Sequence, residues 1–255
     1  MFTHPILEKL GALKLGGMMS AFEEQLQHPE ASNPLSFEER FGLCVDRENL
    51  MRGNRRFKSR LKNAKLKMPA AMEDIDYRHP RSLDKGMMLS LLNCQWVRQG
   101  RNILIVGPTG TGKTYLSCAF SHRACLEGFT AHYARAFRLL PKLGVAKADG
   151  RFERMVQELG RYDVLVLDDF AMSTFTDEER LHLLEILDER YKVRSTIIAT
   201  QLPIKLWHKQ IGDETLADAI VDRLIHNAYT ITLSGPSLRE ELKAKSDVVE
   251  TAASV

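Results

Sequence analysis

The sequence is poor in the features that mark a secreted or membrane protein. Its four cysteines, Cys44, Cys94, Cys118 and Cys125, are scattered through 255 residues with no C-x-x-C pair and no paired histidine spacing. That pattern excludes a disulfide framework, argues against a zinc site and fits reduced, buried thiols. No run of 18 or more apolar residues occurs, so no membrane span is expected. The N-terminus M-F-T-H-P-I-L-E-K-L lacks the basic-then-apolar layout of a secretory signal. The expected location is cytoplasmic. Internal repeats and low-complexity tracts are also missing, which excludes solenoid and disordered classes.

What is present is an ordinary globular composition, 44% apolar and 27% charged, long enough for one main domain and a smaller appendage. The net charge of +3 is unevenly spread. Between Arg40 and Lys67 there are ten Lys or Arg against Asp46 and Glu48, and the rest of the chain sums to −5. A concentrated basic segment on a nearly neutral body suggests a phosphate-rich partner such as nucleic acid.

Residues 1–67 read as a helical, basic domain. Ile6, Leu7, Leu10 and Leu13, then Met18, Met19, Phe22 and Leu26, recur near helical spacing. A further helix starts at Ser36, where S-F-E-E gives a capping box with Glu39 and Gly53-Asn54 is a candidate break. Leu50, Phe57, Leu61, Ala64 and Met68 fall on one side of it. Arg52, Arg55, Arg56, Arg60, Lys62 and Lys67 fall mostly on the other. Either this face is simply solvated or it contacts phosphate. Tyrosine and tryptophan are absent from the segment, which disfavours base stacking and favours backbone contacts.

Residues 68–81 carry two prolines and no period, and read as a linker. From residue 82 strands and helices alternate. Strands are expected at Asn102–Val106, Thr130–Arg135, Asp163–Leu167, Thr196–Thr200 and Tyr229–Leu233, with helices beginning near Thr176 and covering Thr215–Ala228. Such alternation predicts an α/β fold, a parallel sheet with helices on both faces.

Three strand ends carry chemistry. Gly107–Thr114 (G-P-T-G-T-G-K-T) matches G-x-x-x-x-G-K-[ST] and sits between a buried strand and an amphipathic helix. Gly107, Pro108, Thr109, Gly110, Thr111 and Gly112 turn backbone N–H groups toward phosphates, and the helix start adds partial positive charge. Lys113 is placed to reach the β and γ phosphates, and the Thr114 hydroxyl to ligate Mg²⁺. The run D-V-L-V-L-D-D-F at 163–170 puts two aspartates at the carboxyl end of a strand, where open α/β sheets bind ligands. Asp168 suits Mg²⁺; Asp169 either acts on the attacking water or caps the next helix. In S-T-I-I-A-T-Q-L-P, Thr200 or Gln201 could orient that water. The cofactors implied are ATP and Mg²⁺. Arg223 and Arg239 are either surface ion pairs or γ-phosphate contacts; local sequence does not decide.

Together with L-A-D-A-I-V-D-R-L-I-H-N-A and G-P-S-L-R, these motifs resemble, in order and spacing, the IstB-type helper ATPases of bacterial insertion sequences, in the DnaC/DnaA clade of the AAA+ superfamily. The resemblance covers roughly residues 5–245, and its most family-specific part runs from W-H-K-Q-I-G-D at 207–213 onward. It implies an AAA+ domain at 82–255 with a five-stranded sheet and a reduced C-terminal lid. It also implies assembly as a homo-oligomer on double-stranded DNA beside a cognate DDE transposase, with hydrolysis of ATP. In that frame Arg223 is a finger acting in trans, Arg239 a second sensor and Gln201 the first sensor, with Asp168–Asp169 replacing the usual Asp-Glu. Lys142, Lys147, Arg151 and Arg154 fall where DnaA-like relatives carry a DNA-facing insertion, and an exposed charged helix is the equal alternative there. A DnaC-like helicase loader is the nearest alternative, and a small-molecule P-loop kinase one from another class.

Overall fold

A computed structural model describes residues 4–238 of the chain. The chain divides into two compact units, residues 1–59 and 60–255. In the first, α1 (Pro5–Ala12), α2 (Gly16–Gln27) and α3 (Pro29–Ser32) precede α4 (Phe37–Ala64), which runs through the division. Ser36 and Glu39 form the expected capping box: the Ser36 N–H donates to Glu39 Oε2 at 2.8 Å and the Glu39 N–H to Ser36 Oγ at 3.2 Å.

Within this unit Gly17 is required by close packing. A Cβ there would lie 2.5 Å from the Glu48 Cα, so only glycine lets the two helices approach. The Glu48 carboxylate accepts from the N–H groups of Gly17 at 2.7 Å and Met18 at 3.2 Å, which satisfies two orphan donors at the start of α2. Arg52, bonded to its other oxygen at 2.6 Å, and those backbone bonds hold this carboxyl below the usual range. The expected break at Gly53-Asn54 is absent, and α4 is continuous. A single glycine costs a helix only about 1 kcal/mol relative to alanine, and the long run of Arg, Lys, Leu and Met around it outweighs that. Leu50, assigned to the apolar face, is exposed, whereas Ala64 is buried.

The second unit carries the sheet. Its strands are β1 (Asn102–Val106), β2 (Ala131–Arg135), β3 (Val164–Asp168), β4 (Ser195–Thr200) and β5 (Ala228–Thr232), in the order β2-β3-β4-β1-β5. Every pairing is parallel. The expected strands are thus present, each shifted by a residue at most. The expected Thr215–Ala228 helix ends earlier, because Ala228 already pairs with Asn102 in the sheet. β1, β3 and β4 are buried at every position, consistent with continuous apolar runs covered on both faces.

α5 (Lys85–Leu91) and α6 (Gln95–Arg98) lead into β1, and α7 (Lys113–Leu126) follows it and packs on the sheet. α8 (Ala136–Ala148), α9 (Phe152–Arg161), α10 (Asp177–Arg190), α11 (Trp207–Ile211) and α12 (Glu214–Ile225) complete the unit. Leu104, Leu165, Leu167 and Ile198 share one core with Leu140, Leu143, Leu183, Ile186 and Ile220 of these later helices. Ile103, Ile105, Val166 and Ile197, their strand alternates, are equally buried toward the opposite face. The proline-bearing segment 68–81 has no helix or strand, yet Ala70, Met72, Ile75 and Arg81 are buried within the unit. Among the described residues no helix is long and apolar enough to cross a membrane.

Candidate nucleotide site

β1 runs apolar and buried to Val106, and the chain then turns through residues 107–112 into α7. Gly112 takes a left-handed φ of 96°, and a Cβ on it would lie 2.7 Å from Arg81 Nη1. Both the conformation and the contact demand glycine. The Thr111 hydroxyl donates to the Pro108 carbonyl at 2.9 Å, closing the loop on itself. Lys113 opens α7, and its ammonium donates to the Gly107 and Pro108 carbonyls, each at 2.7 Å. The positive end of a 14-residue helix, the backbone of the turn and a lysine therefore converge.

Asp168 ends β3 and is buried, at 1% exposure. The Thr114 hydroxyl donates to its Oδ2 at 2.8 Å. A hydroxyl and a carboxylate so close at a strand end form an all-oxygen donor set of the hard kind Mg²⁺ prefers. Among the described residues no cluster of three or more His, Cys, Asp or Glu could hold a metal.

Asp169, the next residue, adopts a left-handed φ of 55°. Aspartate tolerates that region better than most residues, and the turn sends successive carboxylates in different directions. Its Oδ2 lies 3.5 Å from Arg135 Nε, with both side chains partly exposed. The alternative role as a helix cap does not arise: α10 begins at Asp177 and is capped by a Thr176–Glu179 box.

Thr200 and Gln201 stand in different surroundings. The Thr200 hydroxyl is buried and committed, donating to the Phe170 carbonyl at 2.7 Å and accepting from the Leu202 N–H at 3.0 Å. Gln201 is exposed, and its Oε1 accepts from the Thr109 hydroxyl of the loop at 2.6 Å. An open groove of about 700 Å³ begins here, lined by Pro108, Thr109, Gln201, Ile204, Lys205 and Thr232 among others.

Other sequence candidates lie apart. Arg223 is on α12, where it pairs with Asp188 of α10 and donates to the Ala219 carbonyl at 2.8 Å. Its own carbonyl accepts from Asn102 Nδ2 at 3.0 Å, at the opposite end of β1 from the loop. Arg239 and the reduced lid lie outside the described residues. Arg52 is tied to Glu48, and Arg60 donates to the Cys125 carbonyl at 2.9 Å. Arg55, Arg56 and Lys62 are exposed. Lys142, Lys147, Arg151 and Arg154 are also exposed on α8, α9 and the turn between them, with Arg151 paired to Asp149.

Three neighbours of the site escaped the sequence reading. Tyr133 donates to Asp168 Oδ2 at 2.5 Å, and Arg135 faces Asp169. Their i, i+2 spacing at the end of β2 was visible, but not that β2 lies beside β3. Arg81, within the supposed linker, is 3% exposed and donates to the Thr111 carbonyl at 3.4 Å and the Asp76 carbonyl at 3.1 Å. Burial pulls it below the usual guanidinium range. No local signal announced it.

Known proteins share much of this sequence and fold. The family model described as IstB-like ATP binding protein matches residues 8–246. A Sinorhizobium fredii protein named as an insertion sequence ATP-binding protein, y4pL, is 44% identical over 246 residues, covering 96% of this chain and all of that one. The ATP-binding protein of insertion sequence IS1162 from Pseudomonas fluorescens is 46% identical over 204 residues, 80% of this chain and 88% of its own. Among solved structures, the DnaC helicase loader superposes with a TM-score of 0.53 at 21% identity, over 64% of this chain and 96% of that one. AMPPCP-bound DnaA from Aquifex aeolicus gives 0.56 at 19%, over 71% and 56%. The structural likenesses establish the shared fold, and the matched length and sequence identity establish more: this chain belongs to the family of IstB-like ATP binding proteins.

Proposed function

We propose that the chain is an oligomeric, DNA-dependent ATPase that serves a DDE transposase of its insertion sequence as a regulator rather than as the strand-transfer enzyme. The observation that carries the hydrolytic part is one convergence. The phosphate-binding loop, the Thr114–Asp168 pair, Asp169 and the Thr109–Gln201 bond all lie at one end of one sheet. Lys113 and the loop N–H groups hold the phosphates, and Thr114 with Asp168 holds Mg²⁺. Bound there, the ion would neutralise charge on the phosphates. Asp169 takes the proton of the attacking water, and Gln201 positions that water near the loop. The pair of adjacent carboxylates, one for the ion and one for water, favours a hydrolase over a kinase.

The DNA part rests on the basic helix α4, the exposed cations of α8 and α9, and the insertion-sequence names of the relatives. Residues 1–67 are the proposed region for DNA binding, self-association or both, and 82–255 the ATPase domain, acting in the cytoplasm. Arg223 and Arg239 are the proposed finger and second sensor.

The test is ATP turnover and oligomer size measured with and without duplex DNA, beside Lys113→Ala. DNA should raise both turnover and size, and Lys113→Ala should lose nucleotide binding. Unchanged nucleotide affinity in that variant would refute the cradle. Capture of a replicative helicase instead of the transposase in a pull-down would move the protein to the loader class.

A further inference from the structure

Asp168 Oδ2 accepts two hydrogen bonds, from Thr114 Oγ1 at 2.8 Å and from Tyr133 OH at 2.5 Å. Its Oδ1 accepts none among the described residues. Both donors come from neighbouring elements with fixed backbones, α7 and β2, and β2 is paired in register with β3 so that Tyr133 lies opposite Val166. A carboxylate held by one donor can rotate about its χ2 axis, whereas one held by donors from two sides has a single orientation. Thr114 cannot supply that constraint alone, because its oxygen is also the one a metal would use.

We propose that Tyr133 is a positioning residue for cation binding: its hydroxyl pins Asp168 Oδ2 and so fixes the orientation in which this carboxylate would meet a bound cation. The inference rests on the reading of Asp168 as the carboxylate that holds Mg²⁺. Tyr133 is 9% exposed, with its ring packed in the sheet. Outer-shell donors of this kind fix ligand orientation, and their loss typically weakens metal affinity by about 10- to 100-fold. A phenylalanine would fill the same space and lack the hydroxyl that reaches Asp168.

The experiment titrates Mg²⁺ while following a fluorescent ATP analogue bound to the full chain, for wild type, Tyr133→Phe and Asp168→Asn, with an EDTA control and a melting curve. Tyr133→Phe should raise the Mg²⁺ half-saturation about tenfold or more and leave binding in EDTA unchanged. A shift in Asp168→Asn without one in Tyr133→Phe overturns the role of Tyr133 alone. No shift in either variant overturns the metal assignment and the proposal with it. Equal weakening of binding with and without Mg²⁺ in Tyr133→Phe would mark Tyr133 as merely structural and also overturn the proposal. Should Tyr133→Phe fail to fold, Tyr133→His, whose shorter ring leaves its N–H out of reach of Asp168, should likewise raise the half-saturation about tenfold, and a value within about threefold of wild type counts against the role.

Discussion

Arg190 offers the sharpest test of how the second unit is held together. It is 1% exposed at the end of α10, and among the described residues its guanidinium pairs with no carboxylate. Instead it donates to the carbonyls of Leu159 at 2.7 Å, Tyr162 at 2.8 Å and Ser195, and to Thr196 Oγ1 at 3.1 Å. These acceptors belong to α9, the turn before β3 and the start of β4, so one side chain ties three elements. Arg190→Met keeps most of the apolar volume and removes every donor. Leaving three buried carbonyls short of a partner costs about 1–3 kcal/mol each. Removing a buried cation returns part of its desolvation penalty, which brings the net loss to about 3 kcal/mol. In a chain of this size each kcal/mol moves Tm by about 2–4 °C, so melting should fall by about 6–12 °C. The affinity for an ATP analogue at low temperature should hold within about twofold, because Ser195 opens β4 while Thr200, at its other end, borders the nucleotide loop. A melting point within about 2 °C of wild type would show that the carbonyls find other donors and that the latch does not exist.

Three other outcomes are expected. Asp169→Asn should bind ATP with near wild-type affinity and hydrolyse it about 10²-fold or more slowly, trapping oligomers on DNA; wild-type turnover in a steady-state assay would remove Asp169 from the chemistry. Mixing Arg223→Ala with Lys113→Ala subunits should restore part of the ATPase rate, and zero recovery at every ratio would deny action in trans. Acid should destabilise the second unit through His182, which is 1% exposed with both ring nitrogens unpartnered against Phe152. Burial, then Lys147, lowers its pKa, opposed by Glu178, Glu185 and Glu179. A histidine neutral in the fold but protonated in the unfolded chain lends stability above the unfolded value of about 6.5 and loses it as pH falls below that. Denaturant melts from pH 7.5 to 5.5 should therefore show a steeper decline in wild type than in His182→Phe.

The sequence was most legible where one strong local rule acted. The G-x-x-x-x-G-K-[ST] match, the apolar run into Asp168 and the Ser36–Glu39 box each carry their geometry within a few residues, and the structure has them where expected. The five strands were equally readable, since buried parallel strands are short apolar runs bounded by turns. Strand order was not readable. Nothing local states that β2 lies beside β3, so Tyr133 and Arg135 passed as ordinary strand residues although they touch the two aspartates. The segment 68–81 misled for the opposite reason. Prolines and a lack of period describe irregular backbone, and irregular backbone packs as well as any other when Ala70, Met72 and Ile75 bury their side chains. At Gly53 the local rule acted but lost to the helix around it.

Arg223 shows where local reading ends and geometry takes over. Its motif allowed either a surface ion pair or a phosphate contact, and within one chain the first is what the structure contains, with Asp188 as the partner. Its carbonyl is fixed to Asn102 at the first residue of β1, and the nucleotide loop begins after Val106. Four strand steps of about 3.3 Å separate those positions, roughly 13 Å along a rigid, fully buried strand. An extended arginine spans about half of that, so this residue cannot serve the loop of its own chain without moving α12 off the sheet. Any role at a γ-phosphate must then be played in a second copy, after the Asp188 pair is given up. That exchange makes a prediction of its own: Asp188→Asn should leave monomeric nucleotide binding unchanged and raise the turnover of assembled protein. If turnover in the assembled state falls as far as it does in Arg223→Ala, Asp188 orients the arginine instead of restraining it.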